Sequence, residues 1–206
     1  MELFYGNISK KYVKTAQKLS YEMEMVFEYF KSEEFMFPNE DASYMEIAEL
    51  TPMVQEYERS PKKVYKEQDI DLRSYLTTQS QKMGLSKSEA IKLTDNYFDL
   101  ISPLVLNLKQ YWNRARPYQY AYYFDLDFHP FYTKSGNSPA YPSGHTLQAM
   151  SWKKAMDKIN PSLSNKTQKI VDSVNQSRMS LGVHFPSDIA FSKEICTYLS
   201  DNNLLP

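Results

Sequence analysis

A chain of 206 residues, 42% hydrophobic and 15% aromatic, is long enough for one sizeable core and short for two, so residues 1–206 are read as a single domain. Lys plus Arg number 24 against 25 Asp plus Glu, which excludes a global field for nucleic acid or an anionic membrane and makes any basic site a local one. The single Cys196 excludes an intramolecular disulfide and leaves no thiolate cluster for zinc.

The first residues, MELFYGNISKKYVK, carry an acid at position 2 and no uninterrupted apolar run, so no secretory signal is read. The uncharged stretch LISPLVLNL between Asp99 and Lys109 is nine residues long, where a membrane span needs about 20. These readings predict a soluble, cytoplasmic protein without a membrane span.

From Ser9 to Phe30, Tyr12, Val13, Ala16, Leu19, Met23, Val26, Phe27 and Phe30 recur at intervals of three and four, the stripe of an amphipathic helix. Such a face packs within the domain or against a second copy, which leaves a homo-oligomer open. Pro38 and Asn39 break the pattern, and shorter helices follow, with Thr51-Pro52 and Ser60-Pro61 each reading as an N-cap with Pro at the first helical position. A helix from about Asp69 to Met83 is expected to stop at Gly84, and Ser86 with Glu89 forms a capping box for the next. Ser102-Pro103 either kinks or restarts that helix, which runs on through Lys109 to end at Arg116-Pro117, because the residue before a proline avoids the α region.

Residues 117–142 read as a long, tyrosine-rich irregular connection. Its rings are taken chiefly as wedges onto the core and secondarily as a rim over a pocket, with His129 an ordinary loop residue. Ser143 is the expected N-cap of a helix that Asn160-Pro161 ends. A helix from about Ser164 to Leu181 is closed by Gly182, and a last one runs from Pro186 to about Leu199 with Asp188 in its first turn. No run alternates with period two, so the fold class is all-α, a single helical bundle.

Chemistry concentrates in three places. Lys109 and Arg116 are seven apart, nearly two helical turns, and so lie on about the same face. Ser143, Gly144 and His145 open a helix whose N-terminal amides form a ready anion site. Ser177 to Asp188 puts a cation, Arg178, an imidazole, His184, and a carboxylate, Asp188, within twelve residues. Each residue alone has an ordinary explanation, as a solvated arginine, a satisfied histidine or a first-turn aspartate. Glu33-Glu34 and Asp125 with Asp127 are charge runs of the solvated kind, and no metal ligand set is evident.

Together the blocks read K-x6-R-P over Lys109–Pro117, P-S-G-H over Pro142–His145 and S-R-x5-H-x3-D over Ser177–Asp188. This resembles the phosphatidic acid phosphatase type 2 superfamily, which includes bacterial non-specific acid phosphatases and vanadium haloperoxidases. All eleven fixed residues are present in order, and the motif-bearing part is 104–200. The resemblance implies that Lys109, Arg116 and Arg178 grip phosphoryl oxygens, with the Ser143 hydroxyl and the Gly144 amide completing the cradle. It further implies that His184 attacks phosphorus, Asp188 orients its ring, and His145 protonates the leaving oxygen and then activates water. The implied function is a soluble, metal-independent phosphatase for small phosphomonoesters, without cofactor. The second reading is a vanadate-dependent haloperoxidase with vanadate bonded to His184, and the third a non-catalytic anion binder. Asp188 is expected to raise the pKa of His184 and the cations to lower both histidines, giving a bell-shaped rate profile with a mildly acidic optimum.

Overall fold

The computed structural model describes residues 3–6 and 19–206, and among them every regular element is helical. The helices are α1 (Tyr21–Tyr29), α2 (Glu40–Arg59), α3 (Lys63–Ile70), α4 (Leu72–Lys82), α5 (Lys87–Trp112), α6 (Pro117–Tyr123), α7 (Gly144–Ile159), α8 (Ser164–Ser180) and α9 (Pro186–Asp201). None of the described helices is long and apolar enough to cross a membrane.

The expected helix from Ser9 lies outside the described residues up to residue 18, and its described part begins at Tyr21, where the Ser20 hydroxyl accepts from the Met23 amide. Thr51-Pro52 does not start a helix. Pro52 lies inside α2, whose buried Ile47, Leu50, Val54 and Tyr57 hold it as one helix despite the missing N–H, while the Thr51 hydroxyl bonds the Ile47 carbonyl. Ser60 does not cap α3 either, since that helix begins at Lys63 after Lys62. The helix expected from about Asp69 to Met83 is α4, starting at Leu72 because the Asp71 carboxylate caps it by accepting from the Ser74 amide and hydroxyl. Gly84, with φ +105°, follows α4 as expected.

The capping box of Ser86 and Glu89 is formed, and α5 continues through Pro103 to Trp112. It ends at Asn113 in the left-handed region, φ 48°, three residues before the expected boundary. Residues 117–123 are helical rather than irregular. Pro117 occupies the first position, and the Gln119 side chain accepts from the Arg116 amide, a start signal hidden inside the tyrosine run. Of the segment's rings, Tyr120, Phe128 and Tyr141 are buried as wedges, whereas Tyr122 and Tyr132 stand in solvent. His129 pairs at the surface with Asp127.

Helix α7 sits centrally, against α5, α8 and α9. Trp152, buried between Leu76, Phe98 and Val171, donates to the Ser80 hydroxyl at 2.8 Å and joins α4, α5, α7 and α8. On the other side Val26 and Phe30 pack with Leu104, Leu108, Ile195 and Leu199, joining α1, α5 and α9. A third cluster, with Ile47, Leu50, Tyr120 and Phe185, seats α2 on α6 and the start of α9. The ends of α5, α7 and α8 and the start of α9 are thereby fixed by three apolar contacts that contain none of the charged motif residues.

Candidate active site

Four local structures bring the motif residues together. Lys109 lies in the last turn of α5, buried, with its ammonium donating to the carbonyls of Pro139 and Ala140. Arg116 is extended (φ −80°, ψ 159°), as its place before Pro117 demands. Its Nε donates to Ser138 O (2.7 Å), Nη1 to Val183 O (2.6 Å) and to His184 Nε2 (3.0 Å), and Nη2 to Ser135 O (3.2 Å) and Ser138 Oγ (3.3 Å). All five guanidinium N–H groups therefore have a protein acceptor.

At the start of α7, the buried Ser143 caps the helix by accepting from the Thr146 amide and, at 2.9 Å, from the Thr146 hydroxyl. The Ser143 proton is thus free to donate elsewhere. The first-turn amides of Gly144 and His145 have no intrahelical acceptor. Ser143 N donates to Asp188 O, and Ser192 Oγ to Ser143 O, so α9 sets where this helix begins. A Cβ at Gly144 would meet Val105 Cγ1 at 3.1 Å, so α5 approaches the turn closely enough to disfavour a side chain.

Ser177, which opens the last motif block, turns its hydroxyl back to Val174 O at 2.8 Å and serves its own helix. Arg178, one residue on and completely buried, donates to Asp69 Oδ1 at 3.0 Å and to Ser135 Oγ at 2.8 Å, while Ser135 Oγ donates to Asp69 Oδ1 at 2.8 Å. Its Nε is buried with no acceptor. A charged donor left unpaired inside a protein marks a place where an anion or water completes the bonding. Gly182, with φ +70°, then turns the chain so that Val183 N returns to Arg178 O.

Beyond that turn the His184 ring is held at both nitrogens, Nδ1 3.0 Å from Asp188 Oδ2 and Nε2 3.0 Å from Arg116 Nη1. A guanidinium only donates and a carboxylate only accepts, so Nδ1 carries the proton and Nε2 the lone pair. Asp188 Oδ2 also accepts from Phe185 N at 2.9 Å, while Oδ1 takes Arg114 Nη1 at 2.6 Å.

Burial, then Arg116, Lys109, Arg178 and Arg114, hold the His184 imidazole well below its ordinary pKa. Asp188, expected to raise it, does not prevail against burial and the four cations, and its other oxygen is already paired with Arg114. His145 is also well below its ordinary value, through burial, Arg178, His184, Lys109 and Arg116. Burial pushes the Lys109 ammonium well down, with Arg116 and Arg178 adding to it and Asp188 opposing. Burial and Arg178 push Arg116 down to about 10, against Asp188. The charges of Lys109, Arg116 and Arg178 act on both His145 and His184, so the five lie within one electrostatic neighbourhood, with Ser143 and Gly144 beside His145 on the chain.

Five polar residues were not singled out by sequence reasoning. Arg114, a second arginine two residues before the one in the motif, was the only one with a visible signal. Glu46 on α2, Asp69 on α3, Ser135 and Ser187 carry none, as each sits among ordinary polar surface residues in the sequence. Among the described residues no group of three or more His, Cys, Asp or Glu side chains is arranged to hold a metal ion.

The model of the PAP2 superfamily matches residues 97–200, about half of the chain and the part that contains all three motif blocks. No curated protein and no solved structure gives a match.

Proposed function

Starting from the chain's membership of the PAP2 superfamily, which supports phosphatase-type activity, we propose that it hydrolyses small phosphomonoesters through a phosphohistidine at His184. The observation that carries the reading is the His184 ring, fixed as the Nδ1–H tautomer by Asp188 and Arg116 amid three buried cations. A phosphoryl transition state needs its equatorial oxygens stabilised and an in-line nucleophile. Donors for those oxygens are the free Arg178 Nε, the remaining Lys109 proton, the Ser143 hydroxyl and the Gly144 amide.

The Arg116–His184 bond has a specific consequence. While Arg116 Nη1 donates to Nε2, the lone pair is occupied. An oxyanion arriving beside Arg116 takes that N–H instead, so substrate binding releases the nucleophile and adds a grip on phosphate in one exchange. Nε2 then bonds to phosphorus as the ester P–O bond breaks, with His145 giving its proton to the leaving oxygen. In the second step His145 takes a proton from water, the water oxygen bonds to phosphorus, and the N–P bond breaks to release phosphate. Asp188 keeps the Nδ1 proton in place throughout.

Burial and its cationic neighbours hold the His145 pKa well below its ordinary value in the free protein, so its service as an acid depends on the substrate dianion offsetting them. The mildly acidic optimum is therefore attributed to the enzyme–substrate complex and not to the free enzyme.

An assay of purified protein with p-nitrophenyl phosphate tests the reading. Turnover that disappears in His184→Ala with the fold retained supports it, and turnover surviving that change removes His184 as nucleophile. The same donor set, including the unpaired Arg178 Nε, also suits vanadate. An assay with vanadate, peroxide and bromide is therefore run in parallel, and halogenation without phosphate release would replace the phosphatase reading.

A further inference from the structure

Arg114 is completely buried, yet its guanidinium makes no bond to any of the cradle donors or to His184. Nη1 donates to Asp188 Oδ1 at 2.6 Å and Ser187 Oγ at 2.7 Å, and Nη2 to Glu46 Oε2 at 2.9 Å and Ser43 Oγ at 3.1 Å. The face of the guanidinium lies over the Phe185 ring, 4.0 Å from its centre. Glu46 is itself fixed, its Oε1 accepting from Ser187 N at 2.7 Å and its Oε2 from Ser187 Oγ at 2.8 Å. A continuous chain of hydrogen bonds thus runs from Glu46 on α2 through Arg114 and Asp188 to His184. Its first member comes from outside the residues that match the family.

A network confined to stability would need only to neutralise a buried arginine, and Glu46 alone supplies one countercharge. What the geometry adds is a division of the Asp188 carboxylate. Oδ2 serves the nucleophile and the Phe185 amide, while Oδ1 is held by a group anchored to another helix. A carboxylate bonded through one oxygen can turn about its terminal torsion, which is broad. Pinning the second oxygen removes that freedom. The planar fork is what reaches both carboxylates, one from each terminal nitrogen, and a lysine has no equivalent.

We propose that Arg114, braced by Glu46, is a positioning residue of the reaction, holding Asp188 so that the His184 ring stays in the Nδ1–H tautomer with Nε2 directed to phosphorus. This rests on His184 as nucleophile.

The test is a kinetic cycle on the full chain with p-nitrophenyl phosphate. Arg114→Gln lowers kcat about 100-fold, the size expected for misplacing a reacting group by about 1 Å, while KM and inhibition by inorganic phosphate stay within about 2-fold. Arg114→Lys recovers part of the loss. In an Asp188→Asn background, where the orienting carboxylate is already lost, adding Arg114→Gln costs less than about 3-fold, because both act through one bond. A folded Arg114→Gln enzyme with undiminished kcat overturns the proposal, as does a loss of equal size in both backgrounds. Should Arg114→Gln not fold, the near-isosteric Glu46→Gln decides: a kcat loss of about 10-fold at constant KM supports the brace, and unchanged kcat removes it. Should the wild type prove not to be a phosphatase, imidazole nitrogen chemical shifts decide independently of turnover. They show His184 protonated at Nδ1 in the wild type and mixed between the nitrogens in Arg114→Gln, and identical tautomers in both contradict the proposal.

Discussion

Replacing Gly182 by alanine tests whether the turn between Arg178 and His184 is as constrained as its geometry indicates. The residue has φ +70°, and a Cβ there would lie 3.0 Å from Phe128 Cζ, 3.0 Å from Pro130 Cβ and 3.1 Å from Pro130 Cα. The left-handed conformation costs an alanine about 1–2 kcal/mol. Overpacking against a ring and a proline backbone adds about 1–3 kcal/mol. Lower entropy of the unfolded chain returns about 0.4–1 kcal/mol. The net loss is about 3 kcal/mol, which in a domain of this size lowers Tm by about 6–12 °C. Relief of the clash must move the 181–183 turn, and that turn supplies Val183 O to Arg116 and Leu181 O to Phe131 N. A displacement of about 1 Å at His184 costs about 100-fold in kcat. Thermal unfolding by circular dichroism and steady-state turnover read both effects. A Tm unchanged within about 1 °C would refute the strain argument, and a large fall in Tm with full kcat would show that the turn does not position His184.

Three other outcomes follow from the charges. Phosphate binding at neutral pH takes up a proton at His145, because a bound dianion offsets the burial and the cations that lower the pKa of that imidazole. Calorimetry in buffers of different ionisation enthalpy detects the uptake, and an enthalpy independent of buffer, or equal uptake in His145→Ala, contradicts it. The depressed pKa of the buried His184 also makes the protein lose stability on acidification. Below the ordinary histidine value of about 6.5 the unfolded chain binds a proton that the folded chain refuses, giving a slope of up to about 1.4 kcal/mol per pH unit until the lowered folded pKa is reached. Denaturant titrations from pH 7 to 5 show a shallower slope in His184→Gln, and identical slopes contradict the assignment. Asp69→Asn keeps an acceptor for Arg178 but removes a buried countercharge. Stability falls by about 1.5–3 kcal/mol while phosphate inhibits more tightly, since a negative charge beside the anion site is gone. Weaker inhibition would mean that Asp69 aims Arg178 more than it competes for it.

The parts of the fold legible in the sequence were those with local causes. The Ser86–Glu89 box, the Ser143 cap and the glycines at 84 and 182 each act within one turn, and each is found where its residues place it. Pro52 misleads because the apolar stripe of α2 outweighs a single lost hydrogen bond. Asp71 sets the start of α4 three residues after the expected one, because its side chain makes a better cap than Asp69 at that point. At the site, the motif residues announced themselves because a cation, an imidazole and a carboxylate lie close along the chain. Glu46 and Asp69 did not, since their partners, Arg114 and Arg178, are 68 and 109 residues away and only tertiary packing brings them together. For His184 the sequence sets a raising carboxylate against lowering cations, and the balance between them is set by burial, which only the packed fold supplies and which joins the cations in lowering the pKa.

The most direct test of phosphoryl transfer through His184 is to trap the intermediate. His145→Ala retains His184, the proposed nucleophile, and lacks the imidazole proposed to activate water, and p-nitrophenolate leaves without needing an acid. Mixed with p-nitrophenyl phosphate, this variant releases one equivalent of p-nitrophenolate per protein chain and then stalls. Peptide mass analysis under alkaline conditions then finds the phosphoryl group on His184. Release without a stall and without label on His184 would contradict the account, and label on any other residue would move the nucleophile there.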